Sequence, residues 1–271
     1  MSGQSNVDRP RIAGFGHFIF WEGGSLYIGS SVSPSEFHSH HALQVSLGLT
    51  GTVQFKTEAD TDWVDYEGAV IPSDLPHTFQ APGRALAHLF CEPESVVGRK
   101  IMRRISSPEI ARLDAMEARG LAGPLLLAYQ NAAPRDEMVM LARRTIAALA
   151  GDVEPARTVD PRVRVAIREI HRRLDEPITL GDIAEAAGLS EGRFRHLFVA
   201  ETGVSFRAFV LWARLNRALS LGYGGASWTD AAHAANFADS AHLTRTCRRM
   251  FGIAPTSIRD SGAQVSGVST A

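Results

Sequence analysis

The sequence predicts a multidomain chain with a β-rich N-terminal half, a sandwich or small barrel, followed by helices and then an all-α C-terminal half with two helix-turn-helix units. Three observations predict it. Short runs rich in β-branched and aromatic residues, split by Gly, Pro and Asp, fill residues 11–93. From about Ser95 the apolar spacing turns helical. In the second half, one helical pattern occurs twice. A chain of 271 residues also has the length for two domains.

Taken in order, "HFIFW", "SLYIGSSV", "LQVSLGL", "TVQFKT", "AVIPSD", "HTFQAP" and "ALAHLFC" read as short strands. "PRDEMVMLARRTIAALAG" then has a proline near its first turn, acids early, arginines later and Gly151 as a stop. Its Met138, Leu141, Ala142, Ile146 and Leu149 form one apolar stripe, which either packs on its own domain or makes a dimer contact. "GDVEPARTVDPR" breaks the pattern with two prolines and mixed charges. The expected division is a first domain over 11–150, a linker over 151–159 and a second domain over 160–260, opened by Asp160 as N-cap and Pro161 at the first helical position. The small polar tail 261–271 is expected to fray.

Composition narrows the function classes. A hydrophobic share of 45% with 21% charged residues is that of a globular chain, not a disordered one. No apolar run approaches the roughly 20 residues that span a bilayer, and "MSGQSNVDRPR" lacks a signal-peptide core. Cys91 and Cys247 stand alone, without a metal or disulfide spacing, so a reducing cytoplasm and no membrane partner are expected. Charge is divided unevenly. Residues 1–156 carry 13 Lys+Arg against 18 Asp+Glu, whereas residues 157–271 carry 15 arginines against 11 acids. A basic half is what a nucleic-acid partner would meet.

The repeat begins at "TLGDIAEAAGLSEGRFRHLFVAETG". Thr179 with Asp182 starts a short helix, Gly188 turns the chain, and Ser190 caps a second helix whose Phe194, Leu197 and Phe198 face a core. "SWTDAAHAANFADSAHLTRTCRRMFG" returns the same order from Ser227. Asn236 takes the place of the turn glycine, Asp239 is the second cap, and Leu243 stands for Phe194. Between the copies, "SFRAFVLWARLNRALSLG" is a helix of about 18 residues, roughly 27 Å long. Such a rod would hold two recognition helices about one DNA turn, roughly 34 Å, apart.

These motifs, with "TGVSF", "RLNRALSL", "NFADSAHLTRTCRRMFGIAPTSIR" and the Gly203, Gly252 and Pro255 positions, resemble the AraC-type (arabinose-regulator) family of bacterial transcription factors over about 160–260. Asn236, Cys247 and Ala231 depart from the family's usual glycine, phenylalanine and isoleucine. The resemblance implies a regulator that binds double-stranded promoter or operator DNA, acts as a homodimer, and meets RNA polymerase where it activates. It implies base-reading positions at Gly192, Arg195 and His196, and at Ser240, Ala241, His242 and Arg245. By their chemistry, Arg195 suits a bidentate contact to guanine, while Arg193 and Arg245 suit bases or phosphates. His196 and His242 can donate to phosphate or a base edge, and Gly192 and Ala241 offer only close approach.

The N-terminal half resembles a cupin-type jelly roll. "HSHHALQVSLGLTG" places His38, His40, Gln44 and Gly51 on that pattern, and "GAVIPSDLPHTF" places Gly68, Pro72 and His77, with Asp74 where glycine is common. The resemblance implies a small-molecule effector site at His38, His40, Gln44 and His77. It leaves three readings open: a divalent transition metal on His38, His40 and His77, a metal-free polar pocket, or structural histidines. Gln44 lacks the charge of a carboxylate ligand. By strand alternation His41 should face outward. Cys91 should be inert core. No paired carboxylates or nucleophile–base pair stand near the histidines, so no catalytic residue is expected. The alternative function is a metal-dependent cupin enzyme with DNA binding secondary.

Overall fold

The computed structural model describes residues 12–152 and 158–259. Arg11, Asp260, most of the expected linker and the tail 261–271 therefore lie outside the described residues. The first half folds as β1 (Gly14–Trp21), β2 (Gly24–Ser31), β3 (Leu43–Gly48), β4 (Val53–Lys56), β5 (Val64–Tyr66), β6 (Gly68–Ile71), β7 (Thr78–Gln80) and β8 (Ala85–Cys91). Then follow α1 (Val96–Ile105), β9 (Ala111–Arg112), α2 (Ala115–Gln130) and α3 (Arg135–Ala150). The switch to helix falls at Ser95, whose hydroxyl accepts from Gly98 N at 3.0 Å and caps α1.

Two sheets form. One has seven strands in the order β10-β1-β2-β8-β3-β6-β9, and the other has three in the order β5-β4-β7. Isolated bridges, Ser31 to Pro82 and His38 to His77, link the two, and among the described residues they do not close into one barrel. β2, β3, β6 and β8 are buried almost throughout, because both faces of the large sheet are covered. Outward-facing Leu26, Ile28, Val45 and Leu89 pack on Leu125, Ala142, Ile146 and Leu149 of the helices. The apolar stripe of α3 thus belongs to its own domain: Met138, Ala142, Ile146 and Leu149 are buried, and half-buried Leu141 packs against them. The opposite face of the sheet carries Tyr27, Ala69, Ile71 and Leu86 against Phe55 and Val53.

The second half is α4 (Pro161–Arg172), α5 (Leu180–Ala186), α6 (Glu191–Thr202), α7 (Phe206–Tyr223), α8 (Trp228–Ala234) and α9 (Ser240–Phe251). A 3-10 turn at Pro255–Ser257 follows, and then β10 (Ile258–Arg259). Asp160 accepts from Arg162 N and caps α4, with Pro161 in its first turn. Thr179 and Asp182 form the full capping box of α5. Gly188 at φ +67° and Asn236 at φ +58° make the two turns, as the repeat requires. Ser190 stands at the N-cap of α6 but makes no side-chain cap bond.

Two expectations need correcting. The C-terminal half is not all helical, because β10 pairs in parallel with β1, Ile258 opposite Gly14 and Arg259 opposite Phe15. A sheet edge with free main-chain donors and acceptors was available, and the chain after α9 fills it. His41 does not face outward. It is 4% exposed, because residues 36–42 precede β3 and strand alternation does not reach them.

The halves are also less separate than the sequence division suggests. Phe20, Ala42 and Phe90 of the first half share a core with Trp212, Leu215, Leu243 and Phe251 of the second. Main-chain bonds join them, Glu36 N to Gly252 O at 2.8 Å and Ala13 N to Ser257 O at 2.9 Å. Arg99 pairs with buried Glu201 at 3.1 Å.

Candidate DNA-binding face and histidine pocket

Each helix-turn-helix unit buries one face of its second helix and leaves the other in solvent. In α6, Phe194 and Phe198 are fully buried, whereas Gly192, Arg193, Arg195 and His196 are exposed. In α9, Leu243 and Cys247 are buried, Ala241 and Arg245 are exposed, and Ser240 and His242 are half-buried. His242 packs edge-on against Phe237, with ring centroids 5.1 Å apart. All eight expected DNA-contacting residues therefore lie on the two solvent-facing helix surfaces. Among the described residues, Arg193, Arg195 and Arg245 enter no ion pair, so their guanidinium donors are available to an anion.

The histidine pocket lies where the large sheet meets the small one. His38 and His77 exchange main-chain bonds at 2.9 Å, which brings their rings to a 4.3 Å centroid separation. His40 stands 5.3 Å from His77. One nitrogen of each of these three rings lies within 4.8 Å of the others. The remaining partners fix the ring tautomers. Nδ1 of His38 meets Glu36 O at 2.9 Å, Nδ1 of His40 meets Ala42 O at 2.9 Å, and Nδ1 of His77 meets Leu75 O at 2.8 Å. A carbonyl only accepts, so each Nδ1 carries the proton and each Nε2 presents a lone pair. Nε2 of His77 is buried without a hydrogen-bond partner.

Burial keeps the three rings neutral. Desolvation lowers His38 to about 3, with His40 adding to the effect, and lowers His40 and His77 as well. Outer nitrogens held by carbonyls and inner lone pairs converging are the donor arrangement of a three-histidine metal site. Gln44 Oε1 lies 2.8 Å from His40 Nε2. Two acceptors cannot bond to each other, so the Gln44 carboxamide is turned to donate to the His40 lone pair. The residues present thus fit a divalent metal, and they equally fit a hydrogen-bonding organic group.

Gln44 continues into a polar string that the sequence reading did not include. The other end of its carboxamide lies 2.8 Å from Ser46 Oγ, and Ser46 Oγ lies 2.9 Å from His88 Nδ1. His88 is fully buried, desolvation lowers it to about 3, and its Nε2 has no partner. The signal was present: His88 alternates with Leu86 and Phe90 in β8, on the face that points inward. His41 instead pairs with Glu94 at 2.9 Å, beside Phe209 of α7. Burial opposes its charge, but Glu94 outweighs that and raises the ring above its ordinary range. Glu94 lies 53 positions along the chain, so no local motif could have named it. Cys91 is buried, and desolvation pushes its thiol up to about 12, as inert core requires.

The second half covers this pocket. His40 lies 6.0 Å from Trp212 and 6.2 Å from Phe251, ring to ring. Gly252, at φ +69°, sits so close that an added Cβ would lie 2.6 Å from His38 Nδ1.

Residues 183–261 match a family model described as a helix-turn-helix domain. The transcriptional activator NphR of Rhodococcus is 32% identical over 158 residues, 58% of this chain and 45% of that protein. YidL of Escherichia coli, an uncharacterized helix-turn-helix regulator, is 34% identical over 93 residues, 34% of this chain and 31% of its own length. The chain thus spans less than half the length of the curated relatives it matches. Both relatives are named as transcriptional regulators. Among solved structures, ToxT of Vibrio cholerae covers 86% of this chain and 95% of its own at a TM-score of 0.56 and 10% identity, a likeness of fold alone. ToxT has also been solved with an unsaturated fatty acid bound. Among the described residues no helix is long and apolar enough to cross a membrane.

Proposed function

We propose that the protein is an AraC-type, sequence-specific DNA-binding transcription regulator controlled by an effector in its N-terminal half, a reading that starts from the helix-turn-helix domain matched over residues 183–261. The observation that carries this reading is the pair of recognition helices, α6 and α9, each with exposed arginines free of ion pairs. The 18-residue α7 between the units is roughly 27 Å long at 1.5 Å per residue. That length suits two helices in successive major-groove turns of double-stranded promoter DNA. The protein acts as a homodimer and, as an activator in the manner that NphR is named for, meets RNA polymerase.

In a gel-shift series over mutated operators, Arg195→Ala weakens binding by about 1–3 kcal/mol and relaxes preference at one base pair. Uniform weakening across all bases reassigns Arg195 to phosphate positioning. Loss of all preference for the chain's own promoter over random duplex in the wild type overturns the regulator reading.

The effector site of this reading is a cupin-like pocket of a jelly-roll half, formed by His38, His40, Gln44 and His77, and its three histidines have the donors to hold a divalent transition metal. Such an ion would supply a positive centre to which an acidic effector could bind. Elemental analysis of the full chain, with His77→Ala as control, tests this. About one ion per chain, lost in the variant, supports it, and a metal-free chain stabilised by an organic ligand leaves the pocket without the ion.

A further inference from the structure

A second cavity, of about 350 Å³, lies in the cleft between the halves. Its first wall is the β1–β2 hairpin with the end of β8, and its second is formed by α4 and α7. Phe90 and Trp212 line it, and His40 packs at 5.3 Å and 6.0 Å from those same rings. The two rings therefore partition this cavity from the histidine pocket. The volume falls at the lower end of the range for small-molecule sites.

Two observations point to a ligand. Ser25 is 1% exposed, lines the cavity, and its Oγ has no hydrogen-bond partner. A buried hydroxyl left unpaired is costly unless something meets it. The second observation is charge. Glu22, Glu92, His171 and Arg217 are the charged or titratable side chains that line the cavity, along with Cys91. His171 lies 3.5 Å from Glu92, and Arg217 Nε donates to Ala234 O at 3.1 Å, at the C-terminal end of α8. Glu22 is exposed and enters no ion pair among the described residues. Burial opposes charge on His171, yet Glu92, Glu94 and Glu22 together raise it above its ordinary range, so Glu92 is engaged with His171 and Glu22 is the lining carboxylate left in no ion pair among the described residues.

We propose that this cleft binds a small organic cation, an aromatic or alkyl ammonium ion. Its apolar body lies against Trp21, Phe90 and Trp212, its charge is met by Glu22, and the Ser25 hydroxyl accepts from it. Indole faces beside a cation add the attraction of the ring quadrupole. Because both halves supply walls, an occupant ties the DNA-binding half to the sheet. That consequence rests on the regulator reading, but the binding itself does not.

The test is a fluorescence titration of the full chain, which reads Trp21 and Trp212 directly, with 2-phenylethylamine, 2-phenylethanol and 3-phenylpropionate as probes. The amine gives a saturable change, and the alcohol and carboxylate bind at least about ten-fold more weakly. Glu22→Gln, at an exposed hairpin position that the fold does not need, weakens the amine several-fold, and Ser25→Val weakens it while leaving the thermal midpoint unchanged or raised. Equal binding of the carboxylate or alcohol overturns the proposal, as does an amine affinity indifferent to Glu22→Gln, or no saturable binding of any probe. Operator binding by Glu22→Gln is measured alongside. If it persists while the amine is lost, the cavity assignment and the regulator reading have been separated.

Discussion

The two helix-turn-helix units are copies in sequence order but not in how they are held. The first, α5–α6, rests on a core drawn from its own half: Phe194 meets Phe198 at 5.3 Å and Phe206 at 6.1 Å, with Ile183, Ala184 and Phe209 around them. The second, α8–α9, has smaller residues at its own center, Ala231, Ala232 and Ala235, and completes its core with Phe20 and Phe90 of the sheet. Its Phe251 meets Phe18 at 5.6 Å, Phe90 at 5.4 Å and Trp212 at 5.5 Å. One unit is self-contained. The other is docked on the sheet half, its last helix ending against the loop that carries His38. An effector can shift only what its binding distinguishes, and the second unit is the one whose placement the pocket touches.

Acid should part the two units most widely. His38 and His88 have folded pKa values near 3 against about 6.5 unfolded, and His40 and His77 are lowered too. A depressed folded value means that the stability is whole above about pH 6.5 and is lost as pH falls toward 3, because only the unfolded chain takes up the protons. The His41–Glu94 pair runs the other way. Its raised histidine contributes fully below the unfolded pKa and weakens as pH rises through the folded one. Hydrogen exchange between pH 7 and pH 4 should therefore show α9 and β10 losing protection before α6. Simultaneous loss would mean that the second unit does not depend on the pocket.

Phenylalanine truncations come next. Phe194→Ala and Phe251→Ala should each cost about 3–5 kcal/mol in a denaturant melt. Only Phe251→Ala should also open the sheet edge, read as protease cleavage near β10. The helix-ending glycines sharpen the same contrast. Gly203 at φ +79° has nothing within 4 Å of an added Cβ, so Gly203→Ala pays only backbone strain, about 1–2 kcal/mol. Gly252 at φ +69° would carry that strain and also press on Glu36 O at 2.5 Å and His38 Nδ1 at 2.6 Å, so Gly252→Ala should cost about 3 kcal/mol or more. Equal costs would show that the α9 terminus is free to move off the pocket.

What was legible in the sequence followed from local rules. Seven strands, the capping box at Thr179, the turns at Gly188 and Asn236 and the solvent faces of α6 and α9 are all set by neighbours within a few residues. The histidine cluster was legible too, because the spacing of His38 and His40 and the bridge to His77 follow a pattern. What escaped depends on distant partners. β5, β9 and β10 are two or three residues long and exist because a sheet edge stands ready for them. Glu94 beside His41 and the docking of Phe251 on Phe90 join residues far apart in the chain, which periodicity does not encode. The halves differ accordingly: the helical one is written in short-range code, and its seam with the sheet is not.

The smallest expected difference concerns the caps of the two recognition helices. Asp239 accepts from His242 N at 2.6 Å, satisfying an orphan donor at the start of α9, so Asp239→Ala should cost about 1 kcal/mol. Ser190 holds the matching position at α6, with extended backbone but no side-chain bond, so Ser190→Ala should change stability by less than about 0.5 kcal/mol. Glu191 in the first turn of α6 already supplies the negative charge that the helix start favours, which is why the bond is dispensable there. Urea melts of the two single variants decide it. A Ser190→Ala cost as large as that of Asp239→Ala would mean that the hydroxyl caps α6 in solution, and the two helix starts would then be held alike.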